Sequence, residues 1–131
     1  MRPVSKRRRK RIPWQISSGT TERTNEQRLD DMLEFATQVT EWAQTTPRKP
    51  LDARIRRDAT IYNLGIIGVA ADGMTEAFRA VRPSIPWGEA IAMQEFLGKP
   101  DRLLDFDAVD RAMRELVPVL LAELTKLKSG S

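Results

Sequence analysis

The chain has no histidine and no cysteine among its 131 residues, and only one tyrosine. Without cysteine there is no disulfide framework and no thiolate metal site, which suits a reducing, cytoplasmic setting. With imidazole missing as well, a zinc or related transition-metal centre has no ordinary ligand set. Ser–His and Cys–His nucleophilic pairs are excluded for the same reason. No apolar run approaches the roughly 18 residues that span a bilayer. The longest, Leu116 to Leu121, is short and contains Pro118. The basic N-terminus is not followed by an apolar stretch, so no secretory signal is expected. There is no glycine-rich phosphate loop, no internal repeat and no alternating strand pattern. No cofactor and no membrane partner are expected.

What is present is an uneven distribution of charge. The net charge is +4 and the pI about 9.8. Residues 1–20 carry seven of the 22 Lys/Arg side chains and no acid, leaving 15 basic against 18 acidic groups, a net of −3, in the rest. Lys6, Arg7, Arg8, Arg9, Lys10 and Arg11 are six consecutive cations that repel one another. Pro3 and Pro13 oppose helix, and Ser17-Ser18-Gly19-Thr20-Thr21 has linker composition. Residues 1–23 therefore read as a disordered basic tail and residues 24–128 as the body. Trp14 and Ile16 are the large apolar groups beside the cations, placed to anchor the tail on the body or on a partner.

The body reads as all-α. Thr24-Asn25-Glu26-Gln27 has the form of a capping box. Beyond it Leu29, Met32, Leu33, Ala36, Val39 and Ala43 share one helical face, up to Thr46-Pro47. A second helix starts near Leu51 or Asp52, with Asp52 at the positive end of its dipole. Ala77, Phe78 and Val81 mark a continuation or a short separate helix. Arg82 to Pro86 is a turn. Trp87, Ala90 and Ile91 line a third, short helix, stopped by Gly98 and Pro100. Asp105 or Asp107 caps the last helix, whose apolar positions run from Val109 through Ala112, Met113, Leu116, Val117, Leu120, Leu121 and Leu124 to Leu127. Pro118 is expected to kink it near Arg114-Glu115. Ser129 to Ser131 reads as a flexible end.

The second helix organises the rest. Between Leu64 and Ala71 it has almost no polar residue, so it packs on more than one side. Gly65 and Gly68 lie one turn apart. Each costs about 1 kcal/mol against alanine in a helix, and close approach by another helix is the reason to keep them. Tyr62, on the same helix, reads as a packed tyrosine with a bonded hydroxyl.

Arg57-Asp58, Asn63-Leu64-Gly65-Ile66-Ile67-Gly68 and Ala70-Ala71, followed by Ile85-Pro86-Trp87, Ile91 and Met93, resemble the HepT-like toxin family of the HEPN superfamily. The resemblance covers roughly Gln27 to Leu127. It implies an up-down bundle of four to five helices, a homodimer, RNase activity and a minimal nucleotidyltransferase (MNT) antitoxin as partner, in a bacterium or archaeon. The family's catalytic pattern is Arg, four residues, His, one residue, Tyr, just after the methionine that Met93 matches. In this chain those positions are Gln94, Lys99 and Asp101. The motif tyrosine, the residue an MNT partner is thought to modify with AMP, is therefore missing, and Tyr62 is not in its place.

The chemistry at those positions is thin. RNA cleavage without a metal needs a base to take the 2′-hydroxyl proton and a cation to steady the phosphorane, and histidine suits the base. Lys99 would serve only if burial or nearby cations lowered its pKa by about three units or more, and in a turn beside Pro100 it reads as solvated. Glu95, Asp101, Asp105 and Asp107 offer a conceivable magnesium site, though such acids more often cap helices. Arg54, Arg56 and Arg57 form a second basic cluster, with Arg54 and Arg57 in a candidate cleft and pairing to Asp52 or Asp58 as the simpler account.

Two functions compete. One is a catalytically degenerate HepT-like protein that binds RNA, the ribosome or a partner protein through the tail (Lys6 to Arg11 and Trp14) and a dimer surface. The other is an RNase toxin with a site rearranged around Arg57, Lys99 and the nearby acids. A purely structural module, its tail an assembly or localisation signal, is a third.

Overall fold

The computed structural model describes residues 23–130. The expected cationic run and Trp14 lie outside those residues. Every regular element within them is helical. They are α1 (Asn25–Ala43), α2 (Pro50–Gly73), α3 (Glu76–Ala80), α4 (Trp87–Ala92), α5 (Phe106–Arg111) and α6 (Val117–Gly130). Short 3₁₀ turns occupy Met93–Phe96 and Asp101–Leu103. A π-helical turn, Ala112–Leu116, joins α5 to α6, so those two form one rod. No helix among the described residues is long and apolar enough to cross a membrane.

The start of α1 is set by its cap. The Thr24 hydroxyl accepts from the Gln27 amide at 3.0 Å, and the Gln27 side chain accepts from the Thr24 amide at 2.9 Å. Both halves of the capping box are present. Arg23 donates twice to the Asp31 carboxylate at 2.7 Å, which ties it to α1 rather than to the preceding basic segment.

Side-chain pairs fix the directions of the long helices. Asn25, at the start of α1, bonds Thr75, just past the end of α2. Arg56, near the start of α2, donates to the carbonyls of Trp42 and Thr45 at the end of α1. The two helices are therefore antiparallel. Lys128, at the end of α6, pairs with Asp30 near the start of α1 at 2.7 Å, which makes that pair antiparallel too. Two arginines close helix C-termini, where carbonyls lack intrahelical partners. Arg56 does so for α1, and Arg79 for α2 by donating to Ala71 and Met74 carbonyls.

The core is built on α2. Leu64 and Ile67 are fully buried with Met32 and Val39 of α1 and Val117, Leu120 and Leu124 of the rod. Ile85, ahead of α4, plugs the same core, and the Trp87 indole donates to the Arg82 carbonyl at 3.0 Å. Asn63 is buried on the inner face of α2, and its amide donates to Gln38 at 2.6 Å.

The expected close approach at the glycines is present. A β-carbon on Gly68 would lie 2.5 Å from the Gln94 amide nitrogen and 2.9 Å from the Ala90 carbonyl oxygen. One on Gly65 would overlap the Leu97 side chain. The glycines thus let the segment 90–97 lie directly on α2.

Some details depart from the sequence reading. Ala43 is exposed, and Trp42, half-buried, closes that end of α1. Val81 is 72% exposed rather than part of the core, because α3 ends at Ala80 and turns it outward. Ser129 and Gly130 complete α6 instead of fraying. Near Arg114-Glu115 the rod widens into the π turn. Pro118, which has no N–H to return to the Arg114 carbonyl, accounts for it.

Two alanine substitutions separate packing from propensity. Gly68→Ala should lower stability by about 1–3 kcal/mol, because backbone rather than a flexible side chain meets the new methyl. Gly88→Ala in α4, where nothing lies within 4 Å, should raise it by a few tenths to about 1 kcal/mol. Urea unfolding measures both, and equal effects would contradict the close approach.

Candidate functional site

Segment 96–104 returns past the first half of α2 and forms a shallow cleft of about 220 Å³ with it. Asp58, Ile61 and Tyr62 make the α2 wall, facing Leu97, Lys99 and Asp101. The turn depends on Gly98, whose φ of 75° is left-handed and strains any residue with a β-carbon. Pro100 follows in extended conformation.

Arg57 is the hub of the cleft's rim. Its guanidinium reaches Asp101 at 3.0 Å and Asp58 at 3.3 Å. It also lies 5.1 Å from the centre of the Phe106 ring, within cation–π range. The expected pairing with Asp58 is present, and Asp101 is the nearer partner. The pair is open to water, with Arg57 42% and Asp101 69% exposed. Such ion pairs contribute about 0–1 kcal/mol.

The three positions that the resemblance aligns with the HepT-like motif, Gln94, Lys99 and Asp101, do not converge. Lys99 and Asp101 share the cleft, but Gln94 is absent from its lining. Gln94 instead bonds Asp72 at 3.4 Å. Asp72 lies fifteen residues beyond Arg57 in α2, about 22 Å along the axis. Lys99 is exposed and lacks the desolvated setting in which lysines act as bases. Arg54 is exposed and lines no part of this cleft, so the cluster of three arginines is split: Arg56 caps α1, and Arg57 alone reaches the motif segment.

The acids also separate. The Asp105 carboxylate caps α5, accepting from the Ala108 amide at 3.0 Å, and Asp107 is exposed in the same turn. No group of three acids close enough to hold a metal ion occurs among the described residues. The expectation for Tyr62 is corrected. It is 58% exposed and lines the cleft, because its inner neighbours Ile61 and Asn63 take the buried positions of α2.

A second concavity, unnoticed in the sequence, lies between α4 with its 3₁₀ extension and the α5–α6 rod. Its volume is about 530 Å³. Met93, Ala112 and Leu116 form the apolar floor, with Glu89, Glu95, Glu115 and Arg111 around it. The π turn supplies Ala112, Glu115 and Leu116. The only signal in the sequence is helical spacing of Glu89, Met93 and Phe96, which the short α4 obscures.

Compared with protein-family profiles, curated proteins and solved structures, the chain matches none.

A double-mutant cycle on Arg57→Ala and Asp101→Ala should give a coupling below about 1 kcal/mol, falling further in high salt. A salt-insensitive coupling of several kcal/mol would show that the rim pair is desolvated.

Proposed function

We propose that the chain is a catalytically degenerate HepT-like protein that acts by binding RNA or a ribonucleoprotein. The observation that carries this reading is at Asp101. It stands where the family's motif tyrosine would be, and its carboxylate engages Arg57, a cation at the rim of that cleft. No imidazole exists anywhere in the chain to move the 2′-hydroxyl proton. Lys6 to Arg11 can neutralise phosphates without regard to sequence, and Trp14 can stack on a base.

The reading includes a homodimer. Leu51, Ile55, Tyr62 and Val69 are all exposed on α2, at spacings of four, seven and seven that keep them on one face. This is the apolar stripe a second copy would cover. An MNT-type partner, if the chain meets one, finds no tyrosine at position 101 to modify. The alternative is an RNase toxin using Arg57, Lys99 and nearby acids. It draws on the proximity of Lys99 and Asp101 in one cleft.

Purified protein should leave tRNA and mRNA intact. It should bind single-stranded RNA with a log–log salt slope on the order of −4 if all six cations engage, at about 0.7 per phosphate. Replacing Lys6 to Arg11 by serine should abolish the slope, and Trp14→Ala should cost about 1–3 kcal/mol of binding. Cleavage that survives those serine changes and vanishes with Lys99→Ala would establish the toxin reading instead.

For the dimer, sedimentation should give twice the 14.9 kDa chain mass. Ile55→Lys with Val69→Lys should give the single mass at unchanged helicity. A wild-type monomer at about 100 μM would remove the dimer from the account, that concentration corresponding to a weak complex of about 5 kcal/mol.

A further inference from the structure

We propose that the groove between α4 and the α5–α6 rod is the seat of the chain's own N-terminal basic segment, with Lys6 to Arg11 over its acidic walls and Trp14 on its apolar floor. The seating itself does not require RNA binding, while its autoinhibitory consequence rests on the RNA-binding reading, for which it gives the same cations a second, competing role within the molecule.

Charge is the first argument. Glu89, Glu95 and Glu115 surround the groove, against one arginine, Arg111. None of the three carboxylates has an ion-pair partner within 4 Å among the described residues, so the groove's excess of negative charge is not neutralised by the body. The body is net acidic, and the one strongly cationic stretch of the chain is the segment from Lys6 to Arg11.

Shape is the second argument. A groove of about 530 Å³ takes one or two large side chains, not a helix, and its floor of Met93 and Leu116 is apolar. Methionine adapts to aromatic partners and makes favourable sulfur–ring contacts. Trp14 lies three residues after the last cation of the run. An apolar anchor beside a run of cations matches an apolar floor rimmed by carboxylates.

Reach is the third argument. Arg23 is held on α1 by Asp31. Glu26, three residues on, shares a hollow with Lys126 and Leu127 of α6. Val119, at the near end of the groove, is eight residues before Leu127, about 12 Å along the helix. The nine residues from Trp14 to Arg23 span at most about 30 Å. The tether is long enough for the segment to reach its own groove.

The seat would lower the fraction of molecules whose cations are open to phosphate. The groove is thus an autoinhibitory surface, and its occupant is set by acidic walls rather than by sequence-specific contacts.

The absence of native cysteine permits a direct test on the full chain. A nitroxide attached at Ser5→Cys should broaden the amide signals of residues 89–96 and 108–119 at about 50 mM salt. The broadening should fall by about half or more at 500 mM, where charges are screened over a few ångströms. Glu89→Gln, Glu95→Gln and Glu115→Gln together should remove it without loss of helicity. Broadening that is missing there, or that persists in the triple variant, would overturn the proposal. So would broadening confined to mixtures of labelled and isotopically enriched unlabelled copies, which would assign the segment to a second chain. No RNA enters the experiment, so its failure and the failure of the RNA-binding reading are separate results.

Discussion

The close approach of segment 90–97 to α2 at Gly65 and Gly68 is the contact on which the rest of the structure depends. A helix backbone can lie that near another only where side chains are missing, and the two glycines supply the space at a cost in helix propensity. With Ala90 and Gln94 seated on Gly68, the turn at Gly98 is carried toward the start of α2. That places Asp101 on Arg57. The same seating holds Met93 and Phe96 beside the α5–α6 rod, so both concavities follow from one packing decision.

Much of the architecture was legible in the residues. The capping box at Thr24, the apolar face from Leu29 to Val39 and the glycine pair each have a short-range physical cause, and the structure realises each. The spacing of Val109 to Leu127 identified the rod, and Pro118 located its irregular turn. Local chemistry cannot, however, say which way a side chain on a two-sided helix will face. Tyr62 reads as packed because it lies on the core helix, but Ile61 and Asn63 on either side of it fill the inner positions. Val81 and Ala43 failed at helix ends, where a one-residue change in the terminus rotates a side chain from core to water.

The site was less legible, because it is made by chain reversal. Alignment to a motif put Gln94, Lys99 and Asp101 in one set. The fold sends Gln94 to Asp72 and Asp101 to Arg57, toward different ends of α2. The acidic groove was invisible for the same reason: Glu89 and Glu95 come from one segment and Glu115 from another, and only packing makes them neighbours.

In the proposed function the cationic segment holds RNA and the Lys99–Asp101 cleft does no chemistry. Chemical-shift mapping during titration with a short single-stranded RNA tests this most directly. Changes are expected at residues 6–16, with secondary changes along the groove lined by Glu89 and Glu115 as the segment leaves it. Changes concentrated instead at Arg57, Tyr62, Lys99 and Asp101, with residues 6–16 unmoved, would contradict it.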